Sequence, residues 1–244
     1  MAKAAPAEQL RLLDLQALDG RVKSLDKQAK TLKADPRLTQ LQAEVAAAQS
    51  ALGQISIELS DTQLELKRSE GDVEQVVSRM ERDEARLNAG GLSKDLMALQ
   101  ADLASLAKRR SDLEDAELEV MERLEDVTGR QATQQSVVQG LQGQLELVQS
   151  EIDAALAEVL ADREETQQKR TELAETFEAS LLGVYQKTLE RRGIGAARLF
   201  HGTSEGSGMQ LSPGDLADIS KAADDDIVFC PDSGCILVRS GEWS

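Results

Sequence analysis

The sequence predicts a mainly α chain: a long antiparallel coiled-coil hairpin followed by a small C-terminal ribbon-like α+β module. Three observations carry this. Apolar residues return every three or four positions from Leu38 to about Gly183. A glycine pair, Gly90-Gly91, interrupts that run halfway. Aromatic residues make up 2% of the chain and charged residues 30%, too few large side chains for a wide core but enough Leu, Val, Ile and Ala for a narrow helical seam.

A first helix is expected from Ala7 to Lys33, with Leu15, Leu18, Val22, Leu25, Ala29 and Leu32 spaced by three and four. It should stop at Asp35-Pro36, because proline disfavours helical geometry before it and suits the first position of the next helix. Leu38, Val45, Leu52, Leu59, Leu66, Val73, Met80 and Leu87 then recur every seven residues, as an a/d seam requires. On the return half, Leu96, Leu103, Leu106, Leu113, Val120, Leu124, Val127, Val138, Leu141, Leu145 and Ile152 keep one frame, a pattern that winds into a left-handed supercoil. Between the halves the tip comprises Asn88, Gly90, Gly91, Ser93 and Lys94, with glycines for the turn and Ser93 as cap. A turn there pairs positions whose numbers sum to about 181, so Leu15 to Leu32 should face residues 148–166. The domain limits that follow are 1-192 for a hairpin kinked near 35-36 with its tip near 88-93, and 193-244 for the module.

Thr62, Ser69, Asp83, Arg110, Glu117, Gln131 and Gln134 fall on seam positions, where polar groups set register at a cost in stability. Gly129, Gly140 and Gly143 should loosen the return helix. Larger side chains gather at Leu173, Phe177, Leu181, Tyr185 and Leu189 to form a neck, which Gly193 ends. Beyond it, apolar runs at 209–211, 227–229 and 236–238 suggest two or three short strands. A helix from Pro213 to about Ala223 should be capped by Ser212.

The formal charge of −16 should repel phosphate backbones and anionic membranes over most of the surface. No run of 18 apolar residues and no leader-like start is present, which points to a cytoplasmic protein with no membrane partner. Residues 79–110 hold seven Lys or Arg against five Asp or Glu, whereas residues 193–244 hold three against eight. Lys187, Arg191, Arg192 and Arg198 form a basic collar, the candidate nucleic-acid contact. The chain has one histidine, His201, and two cysteines. No nucleophile, base and orienting group group together, and no phosphate loop occurs, so an enzyme is not expected. Cys230 and Cys235 read first as buried thiols, with a two-thiol site completed by His201 as the alternative and a disulfide disfavoured in a reducing cytosol.

Leu12-Leu-Asp-Leu-Gln-Ala-Leu-Asp19, Ser111-Asp-Leu-Glu-Asp-Ala-Glu-Leu-Glu-Val-Met-Glu122 and Phe229-Cys-Pro-Asp-Ser-Gly-Cys-Ile-Leu-Val-Arg239 resemble the bacterial coiled-coil hairpin proteins with a C-terminal C4-type zinc ribbon, in particular their actinobacterial branch. The resemblance places the ribbon's four ligand positions on Ser204, Ser207, Cys230 and Ser233, with Cys235 two residues beyond the last. It thus implies a degenerate ribbon without cofactor, zinc absent, held by Leu211, Leu216, Ile219, Val228, Ile236 and Leu237 and by docking on the neck. Family members resemble adaptors that bind a sigma factor and a messenger RNA in flagellar gene expression, or associate with secretion components. The resemblance therefore implies a non-enzymatic adaptor with protein partners. The alternative is an RNA- or DNA-binding regulator using the collar or the tip.

Overall fold

A computed structural model describes residues 3–239, 241 and 243; residues 1, 2, 240, 242 and 244, which the domain limits above include at their ends, lie outside it. The chain packs as two units, residues 36–149 and residues 1–35 with 150–244.

In the first unit, α2 (Pro36–Asn88) is followed by the opening part of α3 (Ser93–Glu175). Proline at the start of α2 lacks only an N–H that a first turn leaves unpaired anyway. At its end Gly90 takes φ 79, the left-handed geometry that glycine adopts without strain, while the Leu92 carbonyl accepts from Asp95 and Leu96 to begin α3. The expected Ser93 cap is thus supplied by the Leu92 backbone. Val45, Ala48, Val76, Leu106, Val120, Val127 and Val138 are buried along the seam. Each such Val or Leu, where fully buried, contributes about 1.5–3 kcal/mol.

Polar seam residues are accommodated one by one. Thr62 is buried and returns its hydroxyl to the Glu58 carbonyl 2.8 Å away. Asp83, 7% exposed, is compensated within its own helix by Arg79 at 3.7 Å and Arg86 at 3.6 Å. Gln131 donates to Ser56 Oγ (3.2 Å), and Gln134 to the Ala48 carbonyl (2.9 Å). Arg110 leaves the seam and pairs with Glu114 at 2.7 Å. Gly129, Gly140 and Gly143 stay inside α3.

Pairing across the seam is displaced from the expected sum of 181. Arg130 forms a two-bond fork with Glu58 (3.0 and 2.9 Å), and Arg123 meets Glu65 at 2.6 Å. The carboxyl of Glu58 is held below the usual carboxylate range chiefly by that Arg130 bond. The cause is side-chain direction. In each helix Cα–Cβ bonds tilt toward the N-terminus, so in an antiparallel pair long side chains lean toward each other from different levels. Residues some seven positions apart in register, about 10 Å along the axis, therefore meet.

The second unit shows the same displacement. There α1 (Pro6–Lys33) runs against the end of α3, with Asp26–Arg163 at 2.6 Å and Asp19–Arg170 at 3.0 Å at that offset, while Arg21–Asp162 at 3.0 Å lies close to the expected sum. Leu12 and Leu15 accordingly share a cluster with Ala174 and Phe177, rather than facing residues near Thr166. α1 stops at Lys33, as the following Asp35-Pro36 requires.

Sequence reasoning ran one helix through to Gly193, but α3 ends at Glu175 and α4 spans Ala179–Arg192. Thr176 and Phe177 N–H groups close tight turns on Leu173 and Ala174, and the break turns Phe177 inward to 7% exposure beneath Arg11, whose guanidinium lies 5.0 Å from the ring. Gly193, at φ 78, caps α4.

The C-terminal module has five strands where two or three were expected: β1 (Ala196–Phe200), β2 (Thr203–Ser204), β3 (Met209–Gln210), β4 (Val228–Phe229) and β5 (Ile236–Arg239), in the order β3-β2-β1-β5-β4. β1 and β5 are parallel; the other pairs are antiparallel. Period-two alternation gives the sheet two buried faces. Ala196, Ile236 and Val238 pack with Leu12, Leu15, Leu181 and Tyr185 of the helices. Ala197, Leu199, Cys235 and Leu237 pack with Leu211, Cys230 and Ile219 of α5 (Pro213–Lys221), whose Ser212 cap accepts from Asp215 N–H.

The sheet is tied to α1 by one side chain. Gln16 Oε1 accepts the Gly195 N–H at 2.6 Å and the Ala196 N–H at 3.2 Å, while the buried Tyr185 hydroxyl donates to Asp19 at 2.7 Å. Burial, reinforced by the Asp19 carboxylate, pushes the Tyr185 phenol far above its ordinary 10.0.

Candidate functional site

β4 and β5 are joined by the tight turn Cys230–Cys235. Cys230 N–H donates to the Cys235 carbonyl (2.8 Å) and Gly234 N–H to the Cys230 carbonyl (2.9 Å), with Gly234 at φ 72. Both thiols are free and buried. Ser233 sits between them, its N–H 3.5 Å from Cys230 Sγ and its hydroxyl donating to Cys235 Sγ at 3.1 Å. The Ser204 hydroxyl on β2 is fully buried beside Cys230 and makes no hydrogen bond of ordinary geometry. Burial pushes the Cys230 thiol up, but the adjacent Ser204 hydroxyl, the Ser233 side chain and the Ser233 and Asp232 backbone outweigh it and hold the thiol below its usual range. Burial pushes Cys235 up. Ser207 stands apart in one respect: its hydroxyl accepts the Met209 N–H at 3.3 Å.

Of the positions that resemblance assigned to a metal, Ser204, Cys230 and Ser233 therefore gather, but the chemistry of the set does not suit zinc. Zinc takes thiolate, imidazole or carboxylate ligands, four together in a structural site. Here the set supplies one thiol and three hydroxyls, one of the hydroxyls turned to a backbone amide. The space is also filled by sulfur. A Cβ on Gly206, one residue before Ser207, would lie 2.7 Å from Cys235 Sγ and 2.9 Å from the Ala197 Cβ. Cys235, which has no counterpart in the expected ligand pattern, is thus a packed core residue at the centre of the cluster. His201 is exposed at φ 44 with its ring edge-on to Phe200, and among the described residues no group of three or more His, Cys, Asp or Glu could hold a metal ion.

The collar separates into two places. Lys187, Arg191 and Arg192 of α4 line one hollow with Val184, Thr188, Phe229 and Gly234. Arg198, on β1, stacks instead over Phe200 at 4.4 Å, because alternate residues of a strand share a face. Three of the four cations read together from the sequence thus share one hollow, which Arg198 does not line.

At the tip, Asn88, Gly90, Gly91, Ser93 and Lys94 are all exposed. Sequence reasoning passed over two neighbours, Leu92 and Met97, which are 76% and 70% exposed. These are the highest values among the exposed large hydrophobic residues described. Their signal was present as apolar residues outside the a/d frame. No helix among the described residues is long and apolar enough to cross a membrane.

Comparison with known proteins agrees with this architecture. A family model described as a CT398-like coiled coil hairpin domain matches residues 15–193, and one described as a C4-type zinc ribbon domain matches residues 203–237. An uncharacterised protein of Mycobacterium tuberculosis is 34% identical over 238 residues, covering 97% of each chain. A solved structure from Mycobacterium smegmatis superposes with a TM-score of 0.86 at 31% identity, over 98% of this chain and 100% of that one. The structure of CT398 from Chlamydia trachomatis shares the fold, with a TM-score of 0.66 at 18% identity over 95% and 97% of the two chains. With the hairpin, the strand module and the altered ligand positions described, the chain belongs to the CT398-like coiled-coil hairpin family with a C-terminal C4-type zinc ribbon domain.

Proposed function

We propose that this chain is a non-enzymatic cytoplasmic adaptor that presents its hairpin tip to a protein partner, with a metal-free ribbon serving as a structural head. The observation that carries this reading is the exposure of Leu92 and Met97 at the tip. Exposed apolar side chains held on a rigid turn are what a partner's apolar surface can cover. The excess of Lys and Arg over Asp and Glu across residues 79–110 favours an acidic-flanked partner segment. The ribbon reading is supported by the serines at its ligand positions and by the sulfur packed against Gly206. Against a polynucleotide partner stands the formal charge of −16, with three basic and eight acidic residues across the module 193–244.

A photo-crosslinking residue placed at Met97 in living cells tests the tip. A discrete adduct is expected from position 97, lost when Leu92→Asp is added, and not formed from the exposed position Gln144 on the helix flank. The absence of a discrete adduct at 97, or the same adducts from 144, would refute the tip reading.

A further inference from the structure

The flank of α4 beside the β4–β5 turn carries a feature that the adaptor reading does not use. Lys187 and Arg191 lie at i and i+4, one face of a helix, Arg192 follows on the adjoining side, and all three line a single hollow of about 380 Å³. Among the described residues none of the three has an ion-pair partner, whereas Arg21, Arg79, Arg86, Arg110, Arg123, Arg130, Arg163 and Arg170 all face carboxylates. Among the described residues Arg68 and Arg109 also lack an ion pair, but Lys187, Arg191 and Arg192 are gathered at one hollow. The turn is shaped around one of them: a Cβ on Gly234 would come within 2.8 Å of Arg192 Nε and 3.2 Å of its Cζ, so the guanidinium lies against bare backbone. Phe229, 48% exposed, adds an aromatic surface to the same hollow.

Complementing the negative end of α4 accounts for Arg191 and Arg192 in its last turn. It does not account for Lys187 a turn earlier, nor for Phe229. We propose that this hollow binds a small phosphate monoester of nucleotide size, its phosphate held by Lys187, Arg191 and Arg192 and its ring stacked on Phe229. The volume falls within the roughly 300–1,000 Å³ of small-molecule sites. Guanidinium groups offer paired N–H donors matched to phosphate oxygens, and a phosphate monoester carries close to two negative charges for the three cations to meet. Phe229 supplies what a bare anion site would not need, a face for a base.

The test uses the full chain at low salt, titrated calorimetrically with adenosine monophosphate, inorganic phosphate, adenosine and a short RNA. Saturable binding of the monophosphate that weakens steeply with salt is expected, with adenosine far weaker. Arg191→Gln/Arg192→Gln should weaken it by about tenfold or more with helicity unchanged, and Lys187→Gln should weaken it in a variant less exposed to folding defects. Lys108→Gln/Arg109→Gln, which removes the same charge elsewhere, should leave it unaltered. Phe229→Ala should reduce the monophosphate but not inorganic phosphate; equal affinities of the two would identify free phosphate as the source and support the anion site alone. No saturable binding of either, equal losses in both double variants, or binding of RNA without the monophosphate would overturn the proposal.

Discussion

Replacing Gly206 with alanine tests the packing that stands where the family's metal would be expected. The added Cβ would sit 2.7 Å from Cys235 Sγ, 2.9 Å from the Ala197 Cβ and 3.3 Å from Ser233 Oγ. Cys235 and Ala197 are buried at 0% and 7% exposure, so neither neighbour is the far end of a mobile side chain that can swing away. Overpacking of this kind costs about 1–3 kcal/mol. The φ of Gly206 is not positive, so alanine also gains about 0.4–1 kcal/mol by restricting the unfolded chain. The net loss expected is about 1–2 kcal/mol. Cys235→Ala alone removes a buried sulfur and should cost about 1–2 kcal/mol. In the double variant the shorter side chain admits part of the new methyl, so the two losses should sum to less than their total by about 1 kcal/mol, while the Ala197 contact keeps the rescue partial. The assay is selective for this module because the chain has one tryptophan, and Trp243 packs against the same cluster. Urea unfolding followed by Trp243 emission therefore reports on the head. A Gly206→Ala protein as stable as the parent, or strictly additive losses, would refute the sulfur-filled ribbon.

Three further outcomes follow from the head. Gln16→Ala leaves the Gly195 and Ala196 N–H groups without their acceptor and should lower head stability by about 1–3 kcal/mol by the same emission assay, whereas Gln16→Glu should retain most of it; equal behaviour of the two would contradict the tie. Tyr185 has its folded pKa raised above the unfolded 10.0, so its contribution is fully present below pH 10 and is lost as pH rises beyond it. As the only tyrosine, its phenolate absorbance should appear together with loss of the fold above pH 10, and the stability of Tyr185→Phe should vary less there; ionisation near pH 10 with the head intact would refute the burial argument. Elemental analysis of protein purified without added zinc should find far less than one equivalent, and a stoichiometric content would overturn the metal-free head.

The seam was legible because it is written locally. Val45, Val120, Val127 and Ile152 are placed by heptad spacing and are buried, and Pro36 and Gly90 punctuate the helices through their own backbone chemistry. What escaped depends on distant residues. The break at 176–178 contains neither proline nor glycine and exists because Phe177 is turned into a core shared with Leu12 and Leu15. β1 begins Ala-Ala-Arg and has no strand-favouring β-branched residue; its parallel partner β5 makes it a strand from 40 residues away, Ala196 opposite Ile236. Gln16 looks like any polar helix position, since the N–H groups that donate to it lie 179 and 180 residues further on. At the candidate sites, resemblance brought Ser204, Cys230 and Ser233 together but not Cys235, and sequence proximity grouped Arg198, which stacks over Phe200, with three cations whose hollow it does not line.

The claim on which the rest depends is that α2 and α3 of the same chain run back along each other from the glycine turn. Spin labels at positions 65 and 123, whose native side chains meet at 2.6 Å across 58 residues of sequence, measure this directly. In chains diluted with unlabelled protein, the distance should be set by one interhelical spacing of about 8–10 Å plus the two label arms. If α3 instead carried on from α2 as one continuous helix, with pairing only between separate molecules, the labels would lie about 87 Å apart and the short distance would vanish on dilution.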